Sequence, residues 1–320
     1  TPYRISFFGG GSDYPEWYHK FGGKVISTSI DKYIYISFRK LSPFFNHKYK
    51  IVWSKIEIEN NLKSIKHNVV RKMLPYMNIN DPIELHYQAD LPAKSGLGSS
   101  SSFVVGLFKN MINYKKKDFT KMQLAKESIF FEQTILNECV GIQDQISASF
   151  GGFNKIEIDK KGKFIINKIK FGKNKKILND NLLLVFSGIQ RFANDITNKY
   201  VKSLTTLKEK EMLKIVDQAN RAEKLIKLGD FDNFGRLLNE AWIQKRNLSN
   251  IISNKKIDDL YDHALNNGAL GGKLLGAGAG GFMVFYVPKK LQKKFINKSK
   301  KINIVPFKFS NSGSKIILDN

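Results

Sequence analysis

The chain has 320 residues, enough to bury the core of one large domain or of two domains that share an interface. Its single cysteine, Cys139, excludes an intramolecular disulfide and a cysteine-based metal cage. The formal net charge of +25 arises from 53 Lys and Arg residues against 28 Asp and Glu residues. Since the lysines are spread along the whole chain, without arginine forks or aromatic platforms beside them, the charge predicts a solvated basic surface and no nucleic-acid partner.

Targeting and membrane segments are not evident in the sequence. Residues 1–4 lead directly into patterned sequence, and the longest apolar runs are too short to span a bilayer. We therefore expect no export and no membrane partner, and a reducing cytoplasm fits the lone cysteine. The positive charge suits an enzyme whose ligands carry phosphate groups.

Strand-like alternation of apolar and polar residues begins near the N-terminus. Three segments rich in β-branched and aromatic residues, 25–38, 51–59 and 83–87, predict antiparallel strands with one buried face. Further along, 153–158 and 164–169 flank an Asp-Lys-Lys-Gly turn and predict a hairpin. The first third of the chain is therefore predicted to be mainly strand.

Helical spacing of apolar residues follows these first strands. It predicts one helix over 99–113 and a second from 120 to about 139. Thr120 and Gln123 match a capping box at the start of the second helix, and Gly141 supplies a C-terminal stop.

The second half of the chain is predicted to be strongly helical before it returns to strands. Helical character runs from about residue 192 to 253, with a break near Gly229. The other predicted elements are a buried strand at 182–186, a helix at 256–266, strands at 273–275 and 282–287, a short helix after Pro288 and a strand near 302–309. Runs of strands followed by runs of helices favour an α+β fold. We place a domain boundary near Asp180, which gives domains 1–179 and 180–320.

A glycine- and serine-rich segment at 92–102 lies between a predicted strand and a predicted helix. Glycines let backbone N–H groups approach an oxyanion, and the first turn of a helix adds unpaired donors and the positive end of its dipole. The segment therefore predicts a polyphosphate-binding loop, in which Lys94 either contacts the phosphates or is solvated. The candidate ligand-binding residues are Lys94, Ser95, Gly96, Leu97, Gly98, Ser99, Ser100 and Ser101.

A second glycine segment, at 276–281, satisfies the G-x-G-x-x-G pattern of dinucleotide-binding folds. A strand follows it where that fold requires a helix, so we interpret the segment as a tight turn between two strands. Gly278 is the candidate ligand contact within this turn.

A third glycine segment follows the first predicted strand and leads into an acidic residue amid aromatic residues. Carboxylates hydrogen-bond to sugar hydroxyls, and aromatic faces stack on the C–H surfaces of sugars. Asp13 is therefore a candidate substrate ligand, together with Gly10, Gly11 and Ser12 before it.

Further acidic candidates lie in the middle of the chain. Asp144 follows the predicted helix stop among apolar residues, where Arg4 is the cation that we expect to pair with it. A kinase needs an aspartate to orient the attacking hydroxyl or accept its proton, and a metal ion to neutralise charge between the phosphates. Glu132 is a second candidate, whereas we expect Glu138 on a solvated face and Cys139 in the core.

Three segments of the chain together resemble the GHMP kinases, the superfamily of galactokinases, homoserine kinases, mevalonate kinases and phosphomevalonate kinases. The family's Pro-x-Arg opening matches 2–4, its Pro-x-x-x-Gly-Leu-Gly-Ser-Ser loop matches 92–100, and its C-terminal glycine motif matches 276–281. The resemblance implies a two-domain α+β architecture with an N-terminal ATP domain of mixed sheet and helices and a C-terminal ferredoxin-like α/β sandwich. ATP and substrate would lie between the domains.

The resemblance also implies roles for individual residues. Asp144 would be the catalytic aspartate, supported by Arg4. Ser100 and Glu132 would ligate Mg²⁺, and Asp13 would contact the sugar.

Within the superfamily, residues 4–14 and 186–191 most resemble the D-glycero-D-manno-heptose 7-phosphate kinases. Such an enzyme would phosphorylate the anomeric hydroxyl and give the 1,7-bisphosphate for nucleotide-activated heptose synthesis. The existing phosphate needs a cationic partner, and Arg191 is our candidate because a planar guanidinium binds phosphate bidentately.

Other functions stay open at this point. Galactokinases carry Gly-Glu-His where this chain has Gly-Gly-Gly-Ser at 9–12, which weakens galactose as a substrate. A kinase for fucose, another hexose or an amino-sugar is one alternative, and a non-catalytic nucleotide-binding regulator is another. A basic nucleic-acid-binding protein would instead show steeply salt-dependent binding. The oligomeric state, a homodimer included, is also open.

Overall fold

The computed structural model describes residues 1–171, 174–190, 197, 201–300 and 302–319. Within these residues the strands are β1 (Pro2–Phe8), β2 (Gly23–Lys40), β3 (Tyr49–Val52), β4 (Ile56–Glu59), β5 (Ile83–Ala89), β6 (Phe153–Ile158), β7 (Phe164–Lys168), β8 (Leu182–Phe186), β9 (Gly271–Leu274), β10 (Phe282–Tyr286), β11 (Asn303–Val305) and β12 (Phe309–Ser310). They form two sheets. The predicted α+β class is confirmed.

The helices of the described residues are α1 (Pro15–Phe21), α2 (Asn68–Tyr76), α3 (Ser99–Tyr114), α4 (Lys121–Phe130), α5 (Gln143–Phe150), α6 (Lys175–Asp180), α7 (Glu209–Leu228), α8 (Phe231–Arg246), α9 (Lys255–Asn266) and α10 (Lys289–Lys298). Thr120 and Gln123 form the predicted capping box of α4, and Gly229 ends α7 in the left-handed conformation. None of these helices is both long and apolar enough to cross a membrane.

The larger sheet has the strand order β4-β3-β5-β2-β6-β7, and β1 and β12 also pair with β2. The 18 residues of β2 take β1, β6 and β12 along one half and β5 along the other. β3 runs parallel to β5, so the prediction of purely antiparallel strands is wrong here. The predicted strand 51–59 is a hairpin of β3 and β4, because Trp53 N–H donates to Lys55 O and closes a turn.

The smaller sheet is antiparallel throughout, with the order β11-β8-β10-β9. β10 is buried along its whole length, and α8 packs on both β9 and β10. After β11 the chain returns to the larger sheet, where Phe309 of β12 pairs with Ile30. Two separate sheets agree with the expected two-domain architecture, and the boundary near Asp180 stays a prediction.

Several helices, α1, α2, α5 and α6, lie outside the sequence predictions. Pro75 inside α2 weakens its helical pattern. The helix predicted to reach residue 139 ends at Phe130, continues as a π-helical turn over Phe131–Ile135 and is followed by Asn137, whose φ of 57° is left-handed. Asp144 therefore lies in the first turn of α5 and not directly after a helix stop.

Aromatic side chains fix the end of β1 against the rest of the protein. Phe7 stacks on Phe153 with ring centroids 5.4 Å apart, and it meets Phe234 of α8 and Phe309 of β12 edge-on. Phe8 meets Phe234 at 5.2 Å. Each such pair adds about 0.5–1.5 kcal/mol beyond the burial of its area. The glycine turn after β1 therefore starts from a rigid base.

Candidate functional site

The segment at 92–102 forms a loop that enters α3 through its backbone. Gly96 and Gly98 have φ values of 82° and 75°, in the left-handed region that favours glycine. Gly98 is the N-cap of α3, and no side chain of the described residues caps this helix. The N–H groups of its first turn, which have no partner within the helix, are thus available to an anion. This geometry fits the predicted polyphosphate loop.

The C-terminal glycine segment packs directly on this loop. Phe282 N–H donates to Ser95 O at 2.9 Å. Leu275 O lies where a Cβ on Gly96 would be, so only glycine permits the approach. Ser95 and Leu97 of the loop are fully buried, so they hold the loop in place and do not face solvent.

Residues 276–281 form the predicted turn between β9 and β10. Gly276 and Ala277 reach the ligand cavity described below. Gly278 does not lie among the residues that line this cavity, and a Cβ on it would meet Ile252. The sequence thus located the turn but not the residue within it that faces the cavity.

Arg4 joins the loop to the predicted catalytic aspartate. Its Nε and one terminal nitrogen donate to the two carboxylate oxygens of Asp144 at 2.6 and 2.7 Å. Its other terminal nitrogen donates to Gly96 O at 2.7 Å, and its backbone N–H donates to Leu97 O at 3.1 Å. This bidentate geometry holds the Asp144 carboxylate in one orientation beside the phosphate loop.

Asp13 is fully buried and is bonded to Gln143, the residue next to Asp144. Its carboxylate accepts hydrogen bonds from Gly11 N–H at 3.1 Å, Gln143 N–H at 3.3 Å and Gln143 Nε2 at 3.0 Å. Burial, and secondarily the neighbouring Asp144 carboxylate, raise the pKa of Asp13 to about 6. Asp13 is therefore a buried acceptor that titrates just below neutral pH.

The glycine turn that precedes Asp13 has two kinds of residue. Gly10 and Gly11 line the cavity, as predicted for a ligand-binding turn. Ser12 is not among the lining residues: its hydroxyl donates to Gly9 O at 2.7 Å and accepts from Lys24 N–H at 3.0 Å. Ser12 therefore holds the turn against β2.

Lys273 is a buried cation at the site that the sequence predictions did not include. From β9 its Nζ donates to Phe7 O at the end of β1, at 2.8 Å. Burial, with a smaller contribution from Arg4, lowers the pKa of Lys273 to about 7. The available signal was a lysine within an otherwise apolar strand.

Glu132 lies fully buried next to the first turn of α3. It accepts hydrogen bonds from Ser101 Oγ at 3.1 Å and Gln145 Nε2 at 2.5 Å. Burial, and then the nearby Glu138, raise the pKa of Glu132 to about 8. Glu138 lines the cavity and is partly buried, so the expectation of a solvated face is wrong. Its neighbour Cys139 also lines the cavity and is partly buried against a hydrophobic core cluster, as expected for a small core residue.

These elements enclose one cavity of about 430 Å³. One wall is aromatic and was not predicted. It consists of Trp53, His67, Phe103 and Tyr87 in this order, and the centroids of successive rings are 4.9–5.4 Å apart. The remaining lining residues are mainly polar or small; they are Arg4, Ser6, Gly10, Gly11, Asp13, Tyr14, Val69, Ala93, Lys94, Gly96, Gly98, Ser99, Ser100, Ser101, Glu138, Cys139, Val140, Gly141, Gln143, Asp144, Lys245, Leu248, Lys273, Gly276 and Ala277. An apolar wall beside a phosphate loop suits a nucleotide base, and the polar end suits a hydroxylated substrate.

The residues present fit a nucleotide with Mg²⁺. No cluster of three or more His, Cys, Asp or Glu side chains that could hold a metal ion occurs in the described ranges. Mg²⁺ in kinases is usually held by one or two protein groups together with substrate phosphates. Ser100 is exposed and lines the cavity, whereas Glu132 is fully buried, is not among the lining residues and meets the loop through Ser101. A dication would also supply the positive charge that the buried Glu132 lacks. Arg191, the predicted phosphate ligand, lies outside the described residues.

The chain matches one family over both of its halves. Residues 60–152 match "GHMP kinases N terminal domain", and residues 222–301 match "GHMP kinases C terminal". It is 31% identical to the D-glycero-alpha-D-manno-heptose 7-phosphate kinase of Campylobacter jejuni, over 98% of this chain and 97% of that protein. It is 26% identical to the mevalonate kinase of Methanocaldococcus jannaschii, over 77% and 76% of the two chains.

Solved structures show the same fold. A D-glycero-D-manno-heptose 1-phosphate kinase from Bacteroides thetaiotaomicron superposes with a TM-score of 0.78 at 23% identity, over 98% of this chain and 95% of that one. A putative sugar kinase from Campylobacter jejuni gives a TM-score of 0.77 at 27% identity, over the same shares of the two chains.

Proposed function

Because the chain belongs to the GHMP kinases, we propose that it transfers the γ-phosphoryl group of ATP to the anomeric hydroxyl of D-glycero-D-manno-heptose 7-phosphate, giving the 1,7-bisphosphate. The chain is an ATP-dependent sugar kinase. The heptose 7-phosphate assignment is supported by the relative of that name, which is similar over nearly the whole length of both chains.

The observation that carries the proposal is the position of Asp144. Its carboxylate is bonded to Arg4, which is itself bonded to the phosphate loop at Gly96, and the Asp13 carboxylate is near enough to interact with it electrostatically. A phosphoryl donor held by the loop and a sugar held by Asp13 would thus meet at Asp144. Such positioning accounts for most of phosphoryl-transfer catalysis.

The step itself follows from this arrangement. The substrate hydroxyl oxygen forms a bond to the γ-phosphorus, and the bond from that phosphorus to the bridging oxygen of ADP breaks. Asp144 orients the hydroxyl and accepts its proton. The first-turn N–H groups of α3 stabilise the phosphate oxygens. Mg²⁺, held by Ser100 and Glu132, would neutralise charge between the phosphates.

The phosphate already present on the substrate would need a cation of its own. We propose Arg191 for this role because of the bidentate geometry of its guanidinium. Arg191→Ala should then raise KM for the phosphosugar and leave KM for ATP unchanged. Equal losses for both substrates would remove the assignment.

A coupled ADP-release assay tests the function. The wild type is supplied with ATP and Mg²⁺ and is assayed on five acceptors in turn: heptose 7-phosphate, unphosphorylated heptose, galactose, fucose and mevalonate. Turnover confined to the phosphorylated heptose supports the proposal. Turnover on another sugar would keep the ATP site and Asp144 but discard the heptose and Arg191 assignments.

A further inference from the structure

Two polar atoms at the sugar end of the cavity have no hydrogen-bond partner in the described part of the chain: Ser6 Oγ and Gln143 Oε1. Both residues line the cavity, and they are only 5% and 8% exposed. A buried polar group left unsatisfied costs about 1–3 kcal/mol. Such a group calls for a partner, which can be a water molecule, an ion or a ligand, and a position on a ligand cavity favours the ligand.

The orientation of the Gln143 amide is fixed by Asp13. The amide nitrogen lies 3.0 Å from Asp13 Oδ1, and the backbone N–H of Gln143 donates to the other oxygen of the same carboxylate. An ionised carboxylate only accepts hydrogen bonds, so the NH₂ end of the amide must face it. Oε1 is thus the unused end, and it is an acceptor.

Gly10 leaves open space next to both side chains. A Cβ on Gly10 would lie 3.5 Å from Ser6 Oγ and 3.8 Å from Gln143 Nε2, with no other atom within 4 Å outside its chain neighbours. Gly10 is not among the residues with positive φ, so its backbone conformation does not require glycine. The absence of a side chain instead keeps the space beside Ser6 and Gln143 free.

We propose that Ser6 and Gln143 form a subsite for one non-reacting hydroxyl of the sugar. The hydroxyl donates to Gln143 Oε1 and accepts from the Ser6 hydroxyl, and Gly10 admits it. Of the groups on a sugar phosphate, only a hydroxyl both donates and accepts; a phosphate oxygen only accepts. The subsite rests on the proposed function, and it makes Ser6 and Gln143 specificity-determining residues for that reaction.

The test compares the wild type with Ser6→Ala on heptose 7-phosphate and on analogues that each lack one non-reacting hydroxyl. Ser6→Ala should lower kcat/KM for heptose 7-phosphate about three- to tenfold, the value of one neutral hydrogen bond. KM for ATP should stay at its wild-type value, and the unfolding temperature should not fall. On the analogue that lacks the bound hydroxyl, Ser6→Ala and the wild type should have equal kcat/KM.

Ser128→Ala is the matched control, because Ser128 Oγ in α4 is also buried and without a partner but lies away from the cavity lining. Gly10→Ala gives a second variant: its methyl group would lie 3.5 Å from Ser6 Oγ, so it takes up space beside that hydroxyl without backbone strain and should lower kcat/KM for the sugar more than Ser6→Ala does.

Four other outcomes bear on the subsite and on the proposed function. Equal kcat/KM for the wild type and Ser6→Ala on heptose 7-phosphate, or an equal loss on every analogue, would overturn the subsite. If the wild type prefers another sugar, the heptose assignment fails by itself, and the same comparison on that sugar decides the subsite. A wild type that turns over no sugar contradicts both.

Discussion

The two ends of the cavity, to which we assign ATP and the sugar, offer different physical means of recognition. At the nucleotide end, backbone N–H groups of an uncapped helix and a wall of aromatic rings are available, and Lys94 and Ser100 are exposed. At the sugar end, Asp13 and Lys273 are buried charged groups, each hydrogen-bonded within the protein. Backbone donors do not titrate, whereas buried side chains do. We therefore expect acid below about pH 6 to act mainly at the sugar end, whereas Glu132, with its pKa raised to about 8, titrates at higher pH.

The largest expected effect comes from Asp144, where the two ends meet. Asp144→Asn keeps the size of the side chain but removes the proton acceptor, so kcat should fall about 10²- to 10⁴-fold. The ADP-release assay measures this loss. Asp262→Asn, an exposed change on α9, is the control and should retain wild-type kcat. A similar kcat for Asp144→Asn and the wild type would remove Asp144 from the chemistry.

The dependence of kcat/KM for the sugar on pH tests the difference between the two ends of the cavity. Burial raises the pKa of Asp13 from 3.8 to about 6, so its carboxylate is lost as an acceptor when the pH falls below that value. kcat/KM for the sugar should then drop up to tenfold per pH unit below about 6. KM for ATP should change much less over the same range, because the backbone donors of the loop do not titrate and Glu132, with its pKa raised to about 8, is protonated throughout it. Parallel profiles for the two substrates would contradict the distinction.

Glu132 provides a stability test that does not depend on activity. Its pKa rises from 4.5 to about 8 on folding, so the folded protein binds more protons than the unfolded chain between these values. The free energy of unfolding should fall as the pH rises through this window, by at most about 1.4 kcal/mol per pH unit. Denaturation of Glu132→Gln without Mg²⁺ should lack this contribution. If the free energy of unfolding has the same slope against pH in the variant and the wild type, the raised pKa does not belong to Glu132.

The smallest expected effect separates backbone geometry from ligand binding. Gly98→Ala forces a left-handed residue, which costs about 1–2 kcal/mol of stability, and places a methyl group 3.2 Å from Asp144 Oδ2. Gly162→Ala in the hairpin turn has a similar φ but lies outside the cavity. Both variants should lose comparable stability in thermal unfolding. Gly98→Ala alone should also raise KM for ATP. An equal KM for ATP in Gly98→Ala and Gly162→Ala would contradict the proposed role of the loop in ATP binding.

Local sequence predicted the nucleotide end better than the sugar end. The phosphate loop is contiguous, and its glycines, serines and following helix all lie within 92–114, so its geometry follows from short-range rules. The Arg4 to Asp144 pair spans 140 residues, and it was expected because an apolar setting demands a counter-charge and because the family resemblance implies it.

The missed features depend on tertiary contacts. Lys273 reaches Phe7 across 266 residues of sequence, and nothing near either residue indicates the contact. The aromatic wall brings Trp53 and His67 beside Phe103 of α3, although each lies in a separate segment. Gly276 and Ala277 line the cavity and Gly278 does not, because a side chain on Gly278 would point at Ile252. Periodicity reports which side of an element is buried but not what it is buried against.

The position of the transferred phosphate tests the central proposal most directly. The wild type is incubated with ATP, Mg²⁺ and heptose 7-phosphate, and the product is assigned by ³¹P and ¹³C NMR. The account predicts a second phosphate on the anomeric carbon, with the first retained at carbon 7. A phosphate on any other carbon, or an unchanged sugar under conditions where the enzyme turns over a different substrate, would contradict it.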